Sequence, residues 1–335
     1  MKMKTLLGVT LAACGLAIAV SAQAQIKERT LRFATVNPPG HPIVAGMEKF
    51  AAVVNQKSGG KITVKLFPGS QLGGDVEVLA SVQGGTIDIT SMNSGILQNQ
   101  VKEFAIVDFP FLFDNGKEAD AVMDGPVGKE LAEKLPAKGL VNLAYWELGF
   151  RDLTDSKRPV TKLSDIEGLK LRVIQSPIYV DTWKALGANP VPMAFPEVYS
   201  GLEQKTIDGQ ENPVTVILAN KFNEVQKYLA LTHHVYNPQS VLMSKKTWDS
   251  LSKQEQDIIT AAAKEATAYQ REFSREASGK ALAELKKTMT VTEIAPTEMA
   301  KIRAAVKPVV DKYTADVGPA LVKQLYAEID KARGK

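Results

Sequence analysis

Apolar and polar residues follow two different periods in the first part of the chain. Residues 30–36 and 61–67 alternate as strands do, and residues 87–91 are predicted to form a third, short strand. Between the strands, residues 43–57 and 76–83 carry apolar side chains at helical spacing. This β-α-β-α-β order predicts an α/β fold with a mainly parallel sheet and helices on both faces.

A second α/β unit begins near Gly149, with a predicted strand at 169–174 and a predicted helix at 178–186. No flexible linker separates the two units, so we expect two lobes that exchange chain segments around a cleft. The run 253–289 contains no proline and only one glycine, Gly279. As a helix it would be ~55 Å long at 1.5 Å per residue, which predicts that it lies across both lobes.

The amino terminus has the pattern of a secretory signal. Lys2 and Lys4 precede an uncharged stretch, and Ala22-Gln23-Ala24 forms a small-x-small cleavage site. We therefore predict a signal peptide at 1–24 and export to the periplasm. The alternative is a lipoprotein cleavage box at residues 11–14, which would place a lipid on Cys14.

Composition then narrows the chemistry of the exported part. Cys14 is the only cysteine, so residues 25–335 can form neither a disulfide framework nor a thiolate metal site. Loss of Lys2 and Lys4 leaves 39 basic against 37 acidic residues, a net charge of about +2. Such a small charge does not predict a nucleic-acid partner.

Enzyme motifs do not appear in the sequence. His233 and His234 are adjacent, so on a strand their side chains would point to opposite faces and would not share one ion. H-E-x-x-H, G-x-S-x-G and G-x-G-x-x-G patterns are all missing. We therefore predict neither a metal nor a cofactor, and we expect a binding protein rather than an enzyme.

Several residues could bind a small anion, each with a plainer alternative. Arg172 lies inside a predicted strand, and its planar guanidinium matches a carboxylate, although it could equally be a solvated strand residue. Arg151 could reach the cleft or pair with Asp152. Asn212 could offer a donor and an acceptor to a ligand, or belong to an ordinary turn. Phe195 would more often be a core residue.

An ordered set of motifs resembles the substrate-binding subunits of TRAP (tripartite ATP-independent periplasmic) transporters, the DctP-type family. The set comprises GSQLG (69–73), GLKLRV (168–173), GANPVPMAFPEVY (187–199), DGQENP (208–213) and VQKYL (225–229). The resemblance covers essentially the whole exported chain. It implies a two-lobed periplasmic binding protein-like fold with a long helix spanning both lobes.

The resemblance also implies roles for residues of the second lobe. Arg172 takes the position of the arginine that binds the ligand carboxylate, and Arg151 that of a second, more variable arginine in the cleft. Phe195 would pack against the carbon chain of the ligand. Asn212 would form a hydrogen bond near the carboxylate.

In the first lobe, the resemblance places Asn37 and His41 on the loop beneath the ligand. Asn93 stands where some sialate-binding members carry a glutamate, which argues against a sialate ligand. The amides of Asn37, Asn93 and Asn212 suit hydroxyl groups, so a sugar acid (aldonate or uronate) is the first expectation. A C4-dicarboxylate or a 2-oxo acid comes next.

The resemblance finally implies an organisation and partners. We assign residues 25–148 plus 238–277 to lobe I and residues 149–237 plus 278–335 to lobe II. Ligand binding would close the lobes, and the closed form would deliver the acid to the small and large TRAP membrane subunits. We expect a monomer. An exported sensory receptor subunit and an exported enzyme acting on such acids are the alternatives.

Overall fold

Nine strands form one sheet in residues 26–334, the part of the chain that the computed structural model describes. The predicted signal peptide (1–24) and Cys14 lie outside this range. The strands are β1 (Arg29–Ala34), β2 (Ile62–Phe67), β3 (Ile89–Asn93), β4 (Leu140–Asp155), β5 (Lys170–Val173), β6 (Asn189–Pro192), β7 (Gly209–Pro213), β8 (Tyr228–Ser244) and β9 (Thr290–Glu293).

Eleven α-helices accompany the sheet in this part of the chain. They are α1 (Pro42–Lys57), α2 (Asp75–Gly84), α3 (Gly116–Met123), α4 (Pro126–Glu133), α5 (Pro177–Ala185), α6 (Val198–Glu203), α7 (Val214–Ala219), α8 (Lys245–Ser250), α9 (Lys253–Thr288), α10 (Pro296–Val317) and α11 (Pro319–Ala332). Short 3₁₀ segments follow β3, at Ser94–Asn99 and Lys102–Asp108. Over residues 26–334, no helix combines the length and the apolar character that crossing a bilayer requires.

The sheet is parallel at its two ends and antiparallel in its middle. Its strand order is β2-β1-β3-β8-β4-β7-β5-β6, with β9 paired to β8. β1 runs parallel to β2 and β3, and β5 runs parallel to β6 and β7, as the two predicted α/β units require. The expectation of a mainly parallel sheet therefore holds within each lobe, and two long strands that it did not include join the lobes.

β4 and β8 are these joining strands, and they pair antiparallel along almost their full length. The pairing shifts register between Glu147 and Gly149, opposite Pro238 and Asn237. Gly149 has a φ of 118°. A glycine adopts this conformation without strain, so it can form the irregularity where the predicted lobes meet.

The long helix α9 contacts elements of both lobes. Its 36 residues begin at a capping box, in which the Ser252 hydroxyl accepts from the Glu255 amide and the Glu255 carboxylate accepts from the Ser252 amide. α9 packs on α1 and β4 on one side of the lobe boundary and on α7 on the other. The predicted helix across both lobes is confirmed.

The two C-terminal helices, α10 and α11, both contact lobe I, although the lobe assignment places them in lobe II. α10 packs on α5 of lobe II and on the 3₁₀ segment Lys102–Asp108 of lobe I. α11 packs on α3 and α4, and the Val127 amide donates to the Glu328 carboxylate at 3.1 Å. α11 therefore packs on helices of lobe I, although the lobe assignment places residues 278–335 in lobe II. The lobe boundaries stay a prediction.

Candidate ligand-binding site

A cavity lies where the loops after β1 and β3 face β5 and β7 across the cleft. Its cavity volume is about 30 Å³, well below the ~300–1,000 Å³ of typical small-molecule pockets. Six of the seven predicted residues line it: Asn37, Asn93, Arg151, Arg172, Phe195 and Asn212. Apolar side chains complete much of the wall, namely Val36, Leu148, Ile174 and Val216.

Arg172 is a buried residue of β5, only 3% exposed. Its Nε and Nη2 atoms donate to the carbonyl oxygen of Met193 at 3.0 and 2.8 Å. Its guanidinium carbon lies 5.6 Å from the centre of the Phe195 ring. The alternative of a solvated strand arginine is therefore wrong, although Lys170 on the same strand face is exposed.

The charge of Arg172 is not neutralised by an adjacent carboxylate. Among the described residues, no carboxylate oxygen forms a salt bridge with its guanidinium. Burial lowers the pKa of Arg172 to about 10, although the charges of Glu211 and Asp75 oppose this effect. The side chain is still a cation at neutral pH, so a buried positive charge faces the cavity.

Arg151 is equally buried but has an ion-pair partner. Its Nη2 donates to Glu211 Oε1 at 2.9 Å, and its Nε donates to Glu211 Oε2. His234 Nε2 lies 3.0 Å from the same Oε2 atom. Burial disfavours ionisation of Glu211, yet Arg151 and His234 together hold the pKa of its carboxyl below the ordinary value.

The proposed pairing of Arg151 with Asp152 is therefore wrong. Asp152 instead accepts from the His233 amide at 2.9 Å, and its Oδ1 lies 3.0 Å from His233 Nδ1. The two adjacent histidines do point to opposite sides, since the His233 side chain is exposed and that of His234 is buried. Within residues 26–334, no three acidic, histidine or cysteine side chains form a cluster that could hold a metal ion.

Three asparagine side chains line the cavity, and each already forms at least one hydrogen bond within the protein. Asn37 Nδ2 donates to Thr35 Oγ1 at 3.1 Å, and Asn212 Nδ2 donates to Gln210 Oε1. In the described part of the chain, neither the Asn37 nor the Asn212 side-chain oxygen has a donor. Asn93 differs, because its Oδ1 accepts from the Gly95 amide at 2.7 Å.

His41 is not among the residues that line the cavity. It caps the start of α1, where its Nδ1 accepts from the Ile43 amide at 3.2 Å. The residue is 1% exposed, and burial lowers the pKa of its imidazole to about 3. The expectation that His41 lies beneath the ligand therefore stays a prediction, with no contact to the cavity to support it.

The fold and the cavity accord with a known protein family. The family model described as bacterial extracellular solute-binding protein, family 7 (DctP), matches residues 33–316. The chain belongs to this family. The resemblance to TRAP substrate-binding subunits is thereby confirmed.

Relatives and solved structures of the DctP family match over most of their length. The 2,3-diketo-L-gulonate-binding periplasmic protein of Escherichia coli K12 is 43% identical over 229 residues, 68% of this chain and 70% of the relative. The C4-dicarboxylate-binding periplasmic protein of Rhodobacter capsulatus is 32% identical over 97% of this chain and 99% of the relative. The sugar acid binding protein of Advenella mimigardefordensis, solved with galactonate, is 44% identical over 92% of this chain and 99% of that chain, with a TM-score of 0.90.

Two polar residues of this DctP-family cavity were not predicted from the sequence. Asp75 is the first residue of α2, and Gln239 lies on the joining strand β8. Burial raises the pKa of Asp75 to about 7, and the Arg172 charge opposes this shift. The signal for Asp75 was available, because it starts a helix directly after the loop that follows a parallel strand. Gln239 had no such signal, since β8 was not predicted.

Proposed function

We propose that the cavity binds the carboxylate of a sugar acid, an aldonate or a uronate, through Arg172. The observation that carries this proposal is the contrast in charge balance between the two arginines of the cavity. Arg151 is paired with Glu211, whereas Arg172 has no carboxylate in salt-bridge contact among the described residues. A ligand carboxylate would supply the missing anion through charge-assisted hydrogen bonds.

The other polar groups of the cavity favour a hydroxylated ligand. Asn37 Oδ1 and Asn212 Oδ1 can each accept a hydrogen bond, and Asp75 adds a carboxylate acceptor from the first lobe. Hydroxyl groups are donors, so a polyol chain satisfies these acceptors. A second carboxylate placed near Asp75 would instead add a like charge, which makes a C4-dicarboxylate the weaker candidate.

The apolar wall supports the same ligand class. The centre of the Phe195 ring lies 6.0 Å from the centre of the Phe222 ring. The Arg172 guanidinium also lies over the Phe195 ring. Ile174 and Leu148 line the same space. A flat apolar surface beside a cation suits the carbon chain that follows a carboxylate. The relatives known to bind a diketo-gulonate and a galactonate are consistent with this class.

Binding would be coupled to closure of the lobes. Lobe closure removes the ligand carboxylate and Arg172 from water, which strengthens their attraction. The ligand therefore shifts the population toward the closed form by its higher affinity for that form. We propose that a monomer, exported to the periplasm after cleavage at Ala24, binds the acid unchanged and passes it to the TRAP membrane subunits.

The test is calorimetric titration of the protein lacking residues 1–24 with D-galactonate, D-glucuronate, succinate and pyruvate. We expect the two sugar acids to bind more tightly than succinate and pyruvate. Tighter binding of succinate would replace the sugar-acid proposal with the dicarboxylate alternative. Absence of binding by all four acids, after refolding to remove any co-purified ligand, would contradict a carboxylate site. Recovery of the acid unchanged after incubation separates binding from catalysis.

Arg172→Ala tests the residue itself. Removing the partner of a buried charge typically costs ~2–5 kcal/mol, which is a loss of roughly 30-fold to several thousandfold in affinity. Arg32→Ala is the matched control, because Arg32 is an arginine on strand β1 whose side chain is 48% exposed and does not line the cavity. Equal affinity of Arg172→Ala and the wild-type protein would remove Arg172 from the proposed role.

A further inference from the structure

Asp108 is a buried carboxylate behind the cavity that joins three parts of the fold. It ends the 3₁₀ segment Lys102–Asp108 of lobe I and is 1% exposed. Its Oδ1 accepts from the Tyr179 hydroxyl at 3.0 Å and from Asn237 Nδ2 at 3.2 Å. Tyr179 lies on α5 of lobe II, and Asn237 lies on the joining strand β8. One carboxylate oxygen therefore bonds to the opposite lobe and to the strand between the lobes.

Asn237 connects Asp108 to two residues that line the cavity. Its Oδ1 accepts from Arg151 Nη1 at 3.2 Å and from Asn93 Nδ2. Both donors line the cavity. An amide has one oxygen and one amino group, so the direction of its amino group decides where the oxygen points. Because Asp108 accepts from the amino group, the oxygen of Asn237 faces Arg151 and Asn93.

The surroundings of Asp108 leave little freedom for its carboxylate. A methyl group on Gly95 would overlap Asp108 Oδ2, so glycine at this position makes room for the carboxylate. Over residues 26–334, Oδ2 has no hydrogen-bond partner. A buried carboxylate oxygen without a partner lowers stability, and such a group in a folded protein calls for an explanation other than stability.

A second set of bonds crosses the cleft beside Asp108. Ser176 Oγ donates to Gln98 Oε1 at 2.9 Å, and Asn99 Nδ2 donates to the Gln175 carbonyl oxygen at 3.0 Å. These residues belong to the segment before Asp108 in lobe I and to the loop before Tyr179 in lobe II. The Tyr179–Asp108 bond is thus part of a polar contact that requires the two lobes to be together.

We propose that Asp108 is a positioning residue for ligand binding. Held by the hydroxyl of Tyr179 from the closing lobe, Asp108 fixes the side chain of Asn237. Asn237 in turn orients Arg151 and Asn93. Closure of lobe II then orders the cavity wall of lobe I and of the joining strands. This inference rests on the proposed function, because it concerns the affinity of the cavity for an organic acid.

Tyr179→Phe removes only the hydroxyl, which donates to Asp108 and also accepts from Asn237 Nδ2 at 3.4 Å. We expect the affinity for D-galactonate to fall by about 10-fold, the effect of one hydrogen bond to a charged group, and to fall through faster ligand dissociation. Tyr145→Phe is the matched control. The Tyr145 hydroxyl is also buried and donates at 2.9 Å, but to the Gly128 carbonyl oxygen within lobe I.

Both tyrosine variants should lower the melting temperature, whereas only Tyr179→Phe should weaken binding. Calorimetry gives the affinity, and stopped-flow fluorescence gives the dissociation rate. A positioning role and a purely structural role differ in this comparison. Equal affinities of Tyr179→Phe and Tyr145→Phe would overturn the proposal.

Substitutions of Asp108 provide the second measurement. Asp108→Asn keeps an oxygen that can accept from Tyr179 and Asn237, so we expect an affinity within about threefold of wild type. Asp108→Ala removes the acceptor and should weaken binding at least as much as Tyr179→Phe does. If Asp108→Ala binds as tightly as Asp108→Asn, the acceptor has no role in positioning. If Asp108→Ala does not fold, the comparison of Tyr179→Phe with Tyr145→Phe still tests the proposal.

Failure of the proposed function is distinguishable from failure of this inference. If the wild-type protein binds none of D-galactonate, D-glucuronate, succinate and pyruvate, the proposed function fails and this inference fails with it. If the wild-type protein binds one of them, that acid replaces D-galactonate as the probe. An unchanged dissociation rate in Tyr179→Phe then contradicts only the role of Asp108.

Discussion

Arg151 and Arg172 line the same cavity and are almost equally buried, at 1% and 3% exposure, yet their surroundings differ. Arg151 donates to a carboxylate that is itself buried and supported by His234. Arg172 donates to a backbone carbonyl oxygen and packs on an aromatic ring. The first environment supplies an ion-pair partner for the positive charge. The second orients the guanidinium and leaves its charge to Glu211 and Asp75, neither of which is in salt-bridge contact with it.

This difference separates an arginine that is ion-paired within the protein from one that we propose pairs with the ligand. The pKa of Arg151 is raised above its ordinary value, because the attraction of Glu211 outweighs the effect of burial. The pKa of Arg172 is lowered, because burial is the larger effect there. Burial alone therefore does not distinguish the two roles, whereas the partner of each charge does.

The sharpest test of this comparison is the stability of the ligand-free protein. Arg151→Met leaves Glu211 as an uncompensated buried charge, so we expect a loss of about 3–5 kcal/mol in the free energy of unfolding. Arg172→Met removes a buried charge that has no direct ion-pair partner, so we expect no loss or a small gain. Urea denaturation of both variants measures the difference. A larger loss in Arg172→Met than in Arg151→Met would reverse the assignment.

A control for Arg151→Met is the double variant Arg151→Met/Glu211→Gln. Glutamine keeps an acceptor for His234 but carries no charge, so the double variant should regain part of the lost stability. An equal loss in the single and double variants would show that packing, and not the uncompensated charge, determines the effect.

The dependence of the unfolding free energy on pH tests Asp108, the buried acid near Arg151. Burial raises the pKa of Asp108 to about 7, against 3.8 for the ordinary side chain, although Tyr179 and Arg151 oppose the shift. The folded state then binds more protons than the unfolded state between these values, so stability falls as pH rises toward 7. From pH 5.5 to pH 8, Asp108 should remove about 2 kcal/mol.

The measurement is the difference in unfolding free energy between wild type and Asp108→Asn across this range. His41 has the opposite effect on the wild-type curve, because burial lowers its pKa to about 3 and its neutral form is favoured in the fold. Subtracting the two curves cancels His41. We expect wild type to lose stability relative to Asp108→Asn as pH rises, and a flat difference would contradict the raised pKa of Asp108.

The smallest expected effect concerns the residue that faces Arg172 from lobe I. Asp75→Asn removes a negative charge but keeps a side-chain oxygen, so a second ligand carboxylate would no longer meet a like charge. We expect the affinity ratio of succinate to D-galactonate to rise by about tenfold, which corresponds to ~1.4 kcal/mol. Competition titration measures this ratio. Glu77→Gln is the control, because Glu77 lies on the same helix but outside the cavity lining.

Elements formed by neighbouring residues were the part of the fold that the sequence predicted well. The alternation at 30–36 and 61–67 corresponds to β1 and β2, and the uninterrupted run from residue 253 corresponds to α9. Local periodicity is enough for such elements. β4 and β8 were not predicted, because each depends on pairing with a strand more than 70 residues away, and no local pattern encodes that pairing.

The site divides in the same way. Arg172, Phe195 and Asn212 were found because they stand inside a recognisable motif order, and they do line the cavity. Glu211 was in the same motif, but its pairing with Arg151 depends on the register between β7 and β4. The hydrogen bond by which His41 caps α1 was not predicted, because its motif position does not indicate where the helix begins. The sequence thus indicated which residue types form the site, but it did not indicate how distant strands pair and which side chains meet as a result.

The joining strand β8 and the helix α9 also determine when the chain can fold during synthesis. Phe33 and Ile43, near the amino terminus, share one apolar cluster with Val241 and Met243 of β8 and with Ile259 of α9. A nascent chain that ends before these elements exposes that cluster to water. Neither lobe is complete until the ribosome has passed Thr288, so we expect folding to wait for most of the chain to be made. Such a delay would keep the polypeptide unfolded for the export to the periplasm that we propose.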